Sequence, residues 1–319
     1  MSDMYRPFAI GLRCAAVGAI GALALCFGVI ASTATAWAQD EEVISPDSLK
    51  SGKITFPSGS VYEGELGNGR MNGQGKITYA NGGVYEGAFI DDQITGQGSF
   101  VYANGDRYEG LFENGERHGQ GVFWFGNGSK YEGGFQNGQM NGSGKLTFAN
   151  GAVYEGPFVD GRRDGQGELR FASGDRYVGS FKDGEMDGRG RLEYAEGHVY
   201  DGAFVGGRRD GDGTFKMANG DTYTGGYKNG KRSGRGTYVQ ADGVTYVGAY
   251  VEGRRQGKGE IQYPNGDRFE GSFFNDVQEG PGKLLYQDGT RGEVTYVGGK
   301  PSGKAVWIYP DGHRIEGEF

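Results

Sequence analysis

Cysteine is nearly missing from this 319-residue chain; Cys14 and Cys26 are the only two. Everything beyond the amino terminus therefore lacks the parts for a disulfide framework, a thiolate metal site or a cysteine nucleophile. Histidine is almost as scarce. His118, His198 and His313 stand far apart in the sequence, which gives no converging donor set for zinc. The Gly-x-Gly pairs are not followed by a helix start, and Gly303-Lys304 runs into Ala305, so a phosphate cradle is excluded as well. A long apolar run occurs once, and no later segment has the length and periodicity of an amphipathic helix. Basic residues are in deficit, 33 against 41 acidic, giving a net charge of −8. That balance argues against nucleic acid as a partner.

The single apolar run, Cys14 to Ala31, follows Arg6 and Arg13 and precedes Ala36-Trp37-Ala38. Residues 1–38 thus read as an export signal cleaved before Gln39, or as an uncleaved anchor helix with the remainder outside the cytoplasm. The expected location is the periplasm or the extracellular space; a retained anchor would hold the chain at the inner membrane. Cleavage removes two of the basic and one of the acidic residues, leaving 31 against 40 and a net charge of −9. Residues 39–51 read as an acidic linker.

What the chain has in abundance is glycine, 66 residues, with aromatics at 13%. Both are periodic. A phrase of the type Tyr-Glu-Gly-x-Phe recurs every 23 residues at Tyr62, Tyr85, Tyr108, Tyr131, Tyr154, Tyr177, Tyr200, Tyr223, Tyr246 and Phe269, with no insertion or deletion. A fixed period of this kind means identical units stacked along an axis. Residues 52–319 hold about eleven to twelve copies and leave no room for a separate catalytic domain.

Numbered from its tyrosine, the unit carries large apolar residues at 1, 5, 16 and 18, as in Tyr85, Phe89, Phe100 and Tyr102. Glycines stand at 3, 8, 12, 14 and 21; Gly87, Gly96, Gly98 and Gly105 are examples. Positions 12 and 21 are glycine in all eleven full-length copies. Alternation of large and small residues indicates strands. Asn-Gly at positions 20–21 indicates a hairpin turn. A three-residue loop there is expected to pair position 18 with 1, 16 with 3 and 14 with 5 of the next unit. Phe100 would then cover Gly110, and Phe112 would cover Gly98. All rings fall on one face, and Arg107, Glu109, Lys130, Glu132, Arg268 and Glu270 fall on the other, solvated one. Positions 6 to 12, such as Glu113 to Gly119, read as connecting loops. The expected fold is all-β: an elongated, twisted, single antiparallel sheet of stacked hairpins, with the aromatic side rolled inward.

This pattern, Tyr-Glu-Gly-x-Phe-x-x-Gly-x-x-x-Gly-x-Gly followed by an aromatic and a glycine turn, resembles the MORN (membrane occupation and recognition nexus) repeat. The resemblance covers essentially everything after residue 52. The eleventh copy departs most, with Gly292, Val294 and Ala305 in place of the tyrosine and two glycines. The resemblance implies a scaffold or membrane-associated tether. The kinase and methyltransferase domains fused to some family members are not in this sequence.

Chemistry finds few candidates. The glutamates at position 2 (Glu63, Glu86, Glu109, Glu132, Glu155) recur identically beside basic residues and read as surface charge, not hydrolase acids. No catalytic residue, metal site or cofactor is expected. Ligand-binding candidates are the dibasic pairs at positions 9 and 10: Arg162-Arg163, Arg208-Arg209, Lys231-Arg232 and Arg254-Arg255. Read as loop residues, they would form a ladder about 10 Å apart along one edge. The expected function is a non-catalytic scaffold that binds a protein or an envelope surface. The alternative is a module for phospholipid headgroups or cell-wall glycan, using basic loops and aromatic rows. Unpaired end strands, the last spanning His313 to Phe319, offer homodimerisation as a further partner choice.

Overall fold

The computed structural model describes residues 48–319. The export signal and most of the acidic linker lie outside the described residues. Twenty-five strands, β1 (Ser51–Thr55) to β25 (Arg314–Glu318), form one open antiparallel sheet in which strands pair with their neighbours in sequence, except that Arg162–Arg163 and Gly165–Arg170 are two pieces of one interrupted strand and both pair with Val153–Val159. Among the described residues there is no α-helix.

Two kinds of turn alternate, and left-handed backbone marks both, with Asp91-Asp92 and Asn275-Asp276 forming the first kind without glycine. Within a unit, positions 7 and 8 form a two-residue turn with both residues at positive φ, as at Asn114 (50°) and Gly115 (80°). Asn-Gly and Asp-Gly suit this type I′ geometry, whose twist matches that of the flanking strands. Between units, positions 19–21 form a three-residue loop closed by Tyr102 N–H to Asp106 O (2.8 Å) and Gly105 N–H to Tyr102 O (3.0 Å). Here only the glycine at 21 is left-handed. The other invariant glycine, position 12, has positive φ in every copy, from Gly73 (87°) to Gly303 (73°). It sits where the ladder slips by a β-bulge, for example between Gly87↔Gly98 and Phe89↔Ile94.

Two expectations are therefore corrected. The inter-unit loop has the expected length but sits one residue earlier, at 19–21 in place of 20–22. That displaces the register by two. Phe100 faces Tyr108, Gly98 faces Gly110, and Gly96 faces Phe112. A shift of two keeps every side chain on its expected face. Second, positions 6 to 12 are not a loop. Ile90 pairs with Gln93 directly across the two-residue turn, and one strand runs from position 9 to 17 (Gln93–Val101).

The register explains the glycines at positions 3 and 14, which face one another. The tyrosine of each unit lies flat over its own facing pair. A Cβ at Gly144 would stand 2.4 Å from Tyr131 Cε2, and one at Gly133 would stand 2.5 Å from Tyr131 Oη. The phenol hydroxyl then donates to the carbonyl three residues on: Tyr131 to Gly134 O (3.0 Å), Tyr177 to Ser180 O (2.9 Å), Tyr200 to Ala203 O (3.0 Å). Each tyrosine from Tyr85 to Tyr246 also meets two position-5 rings edge to face, whereas Tyr62, with Leu66 in its own unit, meets Phe89 alone. Tyr131 touches Phe135 of its own unit at 5.2 Å between centroids and Phe158 of the next at 4.9 Å. Eight tyrosines from Tyr62 to Tyr223 are completely buried by this chain of rings.

The eleventh unit is a natural control. Position 1 is Gly292, and Trp307 occupies the facing position, its indole nitrogen 3.2 Å from where a Gly292 Cβ would be. With no phenol over the strands, the glycines are no longer required, and buried Val294 and Ala305 fill the space.

Both margins of the sheet are tied from unit to unit. At the three-residue loops, the side chain at position 22 accepts from the N–H at position 19 of the next unit: Asp106 from Gly126 (2.6 Å), Asp221 from Ala241 (2.9 Å), Ser129 from Ala149 (3.1 Å). The device fails at Thr290, whose buried hydroxyl has no partner in the next unit because the next position 19 is Pro310, which carries no N–H.

Candidate binding surfaces

The two members of each dibasic pair part company. Position 10 faces the rings, because it pairs directly with position 5: Tyr227 with Arg232, Tyr250 with Arg255, Phe204 with Arg209, Phe158 with Arg163. The Arg209 guanidinium lies over Tyr200, Phe215 and Tyr227 at 5.6, 5.2 and 5.1 Å and donates to Gly230 O in the next turn at 2.9 Å. Arg232 does the same with Tyr223, Tyr250 and Gly253 O (2.9 Å), and Arg255 with Tyr246, Phe273 and Asp276 O (2.5 Å). Arg163 donates to Gly184 O over Tyr154 and Phe181, and burial lowers its pKa. These four arginines, with Arg117 in an equivalent place, staple the second margin of the sheet. They belong to strands and to the packed face, not to loops.

A signal for this was present in the sequence. Position 10 is Met71, Ile94, Met140 or Met186 in other units, and these side chains pack against the core. A position that alternates between methionine and arginine is a core-facing site with room for a long stem.

Position 9 points the other way. Arg162, Arg208, Lys231 and Arg254 are exposed on the charged face. Arg162 pairs with Asp183 (2.8 Å) and Lys231 with Glu252 (2.5 Å), each in the following turn. Arg208 and Arg254 have no ion pair among the described residues. Directly opposite stand exposed valines: Val159↔Arg162, Val205↔Arg208, Val251↔Arg254 and Val297↔Lys300. Each pair combines an apolar side chain with a cation, and they recur at every second unit.

The middle of the same face carries glutamates at position 2 beside bases at 23 and 15. Lys130–Glu132 (2.8 Å) and Lys145–Glu155 (2.9 Å) are ion-paired, and Arg107 pairs with Glu109. Arg176 joins Glu168 (2.9 Å) to Glu193 (3.3 Å), and its hydrogen bond holds the Glu168 carboxyl below its ordinary pKa. These side chains border open depressions over the glycine pairs. One of ≈ 850 Å³ is lined by the backbone of Gly110, Gly121, Gly133 and Gly144 with Gln97, Gln120, Glu109, Glu132 and Lys145. A second, of ≈ 530 Å³, is lined by Arg189, Arg191, Asp201, Asp212, Thr214 and Lys216. Because the tyrosines cover the glycine pairs from the other side, only main chain stands between neighbouring polar side chains here.

The aromatic rows are the core. Tyrosines at position 1 are pushed up in pKa by burial, to about 12 at Tyr131, Tyr154, Tyr177, Tyr200 and Tyr246. Tyr238 is pushed up to about 12 as well, by burial and then by its hydrogen bond to Asp221. At position 18, Tyr79, Phe125, Phe148 and Tyr194 are half-buried. Among the described residues no group of three or more His, Cys, Asp or Glu comes together as a metal site.

The MORN repeat model matches eleven successive segments: 62–84, 85–107, 108–130, 131–153, 154–176, 177–199, 200–222, 223–245, 246–268, 269–291 and 295–314. No curated protein matches the chain. Among solved structures, the wild-type TCP10 domain of Danio rerio CPAP is 18% identical over 62% of this chain and 93% of that one, with a TM-score of 0.39. The SAS-4 TCP domain of Drosophila melanogaster, solved with a proline-rich motif of Ana2, is 18% identical over 61% and 96%, with a TM-score of 0.30. Likenesses of this order say nothing about the partners of the present chain.

Proposed function

Given that this chain belongs to the MORN repeat family, we propose that it is a non-catalytic scaffold that binds a protein partner along the charged face of its sheet. One observation carries the reading: tyrosines, position-5 rings and position-10 arginines are consumed in internal packing, while positions 2, 9, 13 and 15 face solvent, several of them in surface ion pairs. They recur at a spacing of about 10 Å on a pre-formed surface. The glycine-floored depressions admit close approach of a partner's backbone. The proposed role is attachment. The apolar run of residues 14–31 supports action outside the cytoplasm. A mature polypeptide starting at Gln39, found by mass spectrometry of the exported fraction, is the expected result there.

In-cell crosslinking with mass spectrometry tests the binding surface. Partner crosslinks are expected on the charged face, and the combined changes Glu109→Arg and Glu132→Arg are expected to abolish those near the larger depression. Crosslinks confined to the ring face would overturn the proposal.

The exposed valine–cation pairs favour a second reading, contact with anionic phospholipid headgroups at the type I′ turn margin. The cations within reach are Arg162, Arg208, Lys231 and Arg254. Cosedimentation with vesicles containing anionic lipid is expected to fall for Arg208→Ser with Arg254→Ser. No binding by the parent protein removes this reading.

A further inference from the structure

The two outermost strands are complementary halves of one unit. β1 supplies positions 13–17 and β25 supplies position 23 with positions 1–4; among the described residues β1 pairs only with the strand Val61–Gly67, and β25 only with the strand Lys300–Ile308. Inside the array these two halves always pair in one register, as in Val84↔Val101, Tyr85↔Phe100, Glu86↔Ser99 and Gly87↔Gly98. Applied between two copies, that register sets Arg314 opposite Thr55, Ile315 opposite Ile54, Glu316 opposite Lys53, and Gly317 opposite Gly52. We propose that copies of this chain join head to tail, β25 of one adding to β1 of the next so that the sheet continues in phase.

Three observations converge on this. Ile315 and Phe319 stand at core positions 1 and 5 but are 50% and 62% exposed, whereas the equivalent Tyr131 and Phe135 are 0% and 4%. Adding a strand would cover them. Next, Gly52 and Gly317 are a divided glycine pair. Gly317 has nothing within 4 Å of a Cβ position, and Gly52 is approached only by Leu66, at 3.1 Å. The residue that covers an intact pair is position 1 of the same unit, which for this pair is Ile315. Finally the charges fit. Lys53 already binds Glu63 at 2.9 Å, and Glu316 would flank it from the other side. Lys145 occupies the same arrangement within the chain, opposite Glu132 on one side and Glu155 on the other.

Register is protected by the faces. A slip of one residue would turn Ile315 to the charged side and lose the glycine pairing. The contact is heterologous, with different surfaces on the two partners, so it propagates as an open line of copies. It adds to the partner-binding role and does not rest on it.

Crosslinking between engineered cysteines tests the inference, using the full chain with Cys14→Ser and Cys26→Ser. Directly opposed residues have Cα atoms within disulfide range. Lys53→Cys alone and Glu316→Cys alone are expected to stay uncrosslinked under mild oxidation, while their mixture gives a disulfide-linked dimer. A chain carrying both is expected to give a ladder of multimers. In sedimentation velocity, Lys53→Glu or Glu316→Lys should each weaken association by about tenfold, and the two together should restore it. Circular dichroism of every variant checks that the sheet is intact. No crosslink in the mixture, or equal crosslinking by either single variant alone, overturns the proposal.

Discussion

Gly144→Ala inserts one methyl group, and the geometry says what it meets. The new Cβ would stand 2.4 Å from both Cε2 and Oη of Tyr131. The tyrosine cannot swing aside, because Phe135 and Phe158 hold it edge to face and its hydroxyl is bonded to Gly134 O. Overpacking of this kind costs about 1–3 kcal/mol, and the upper end is expected because backbone lies on the far side. Removing the ring by Tyr131→Gly empties the site and deletes the hydrogen bond, at a cost of roughly 3–5 kcal/mol. The eleventh unit shows the combination that works: Gly292, Val294, Ala305 and Trp307. Transplanting it as Tyr131→Gly, Gly133→Val, Gly144→Ala and Leu146→Trp should therefore cost far less than the separate changes predict. A coupling of about 2 kcal/mol or more is expected for residues in such contact. Since stability in a repeat array is local, hydrogen exchange at residues 131–147 is the assay, with denaturant melts alongside. Additive losses would refute the idea that tyrosine and glycine pair are one packing unit.

Three further outcomes follow from the same contacts. Arg209→Ala should destabilise by about 1–2 kcal/mol, through loss of its ring contacts and the bond to Gly230 O, while Arg208→Ala stays within about 0.5 kcal/mol; denaturant midpoints compare them. The tyrosines predict alkaline unfolding. Burial holds Tyr131, Tyr154, Tyr177 and Tyr200 at about 12, above the ordinary value of 10.0. Above the unfolded pKa the unfolded chain binds fewer protons than the fold, so stability falls as pH rises from 10 toward 12. Phenolate absorbance should appear together with loss of the β-sheet circular dichroism; ionisation near the ordinary value with the sheet intact would contradict the burial argument. Local opening is expected first from residue 291 onward, where the tyrosine bond is gone and Thr290 lacks its partner in the next unit; slower exchange there than at residues 131–147 would contradict it.

Much of the architecture is legible in the residues, and the misreadings have physical causes. The invariant glycines at 12 and 21 mark left-handed backbone, and the period-2 alternation separates the two faces correctly. Asn-Gly at 20–21 drew attention from Asn114-Gly115, Asn137-Gly138 and Asn229-Gly230, which form the tighter turns. Charge alone placed Arg163, Arg209, Arg232 and Arg255 in solvent, although the methionines at equivalent positions mark them as core-facing. The register error of two arose from setting a ring opposite each glycine, whereas the glycines at 3 and 14 face one another and the tyrosine two residues before the first of them lies over both.

The staples that run from one unit to the next reach no farther than 21 residues along the chain, as from Arg232 to Gly253. Chain entropy therefore opposes no distant closure, and each hairpin can dock as soon as its predecessor exists. Excising residues 131–153 would leave every surviving contact with an equivalent partner. Length in this molecule is thus a dial that can be turned in steps of one unit, with the reach of its surface set by copy number alone.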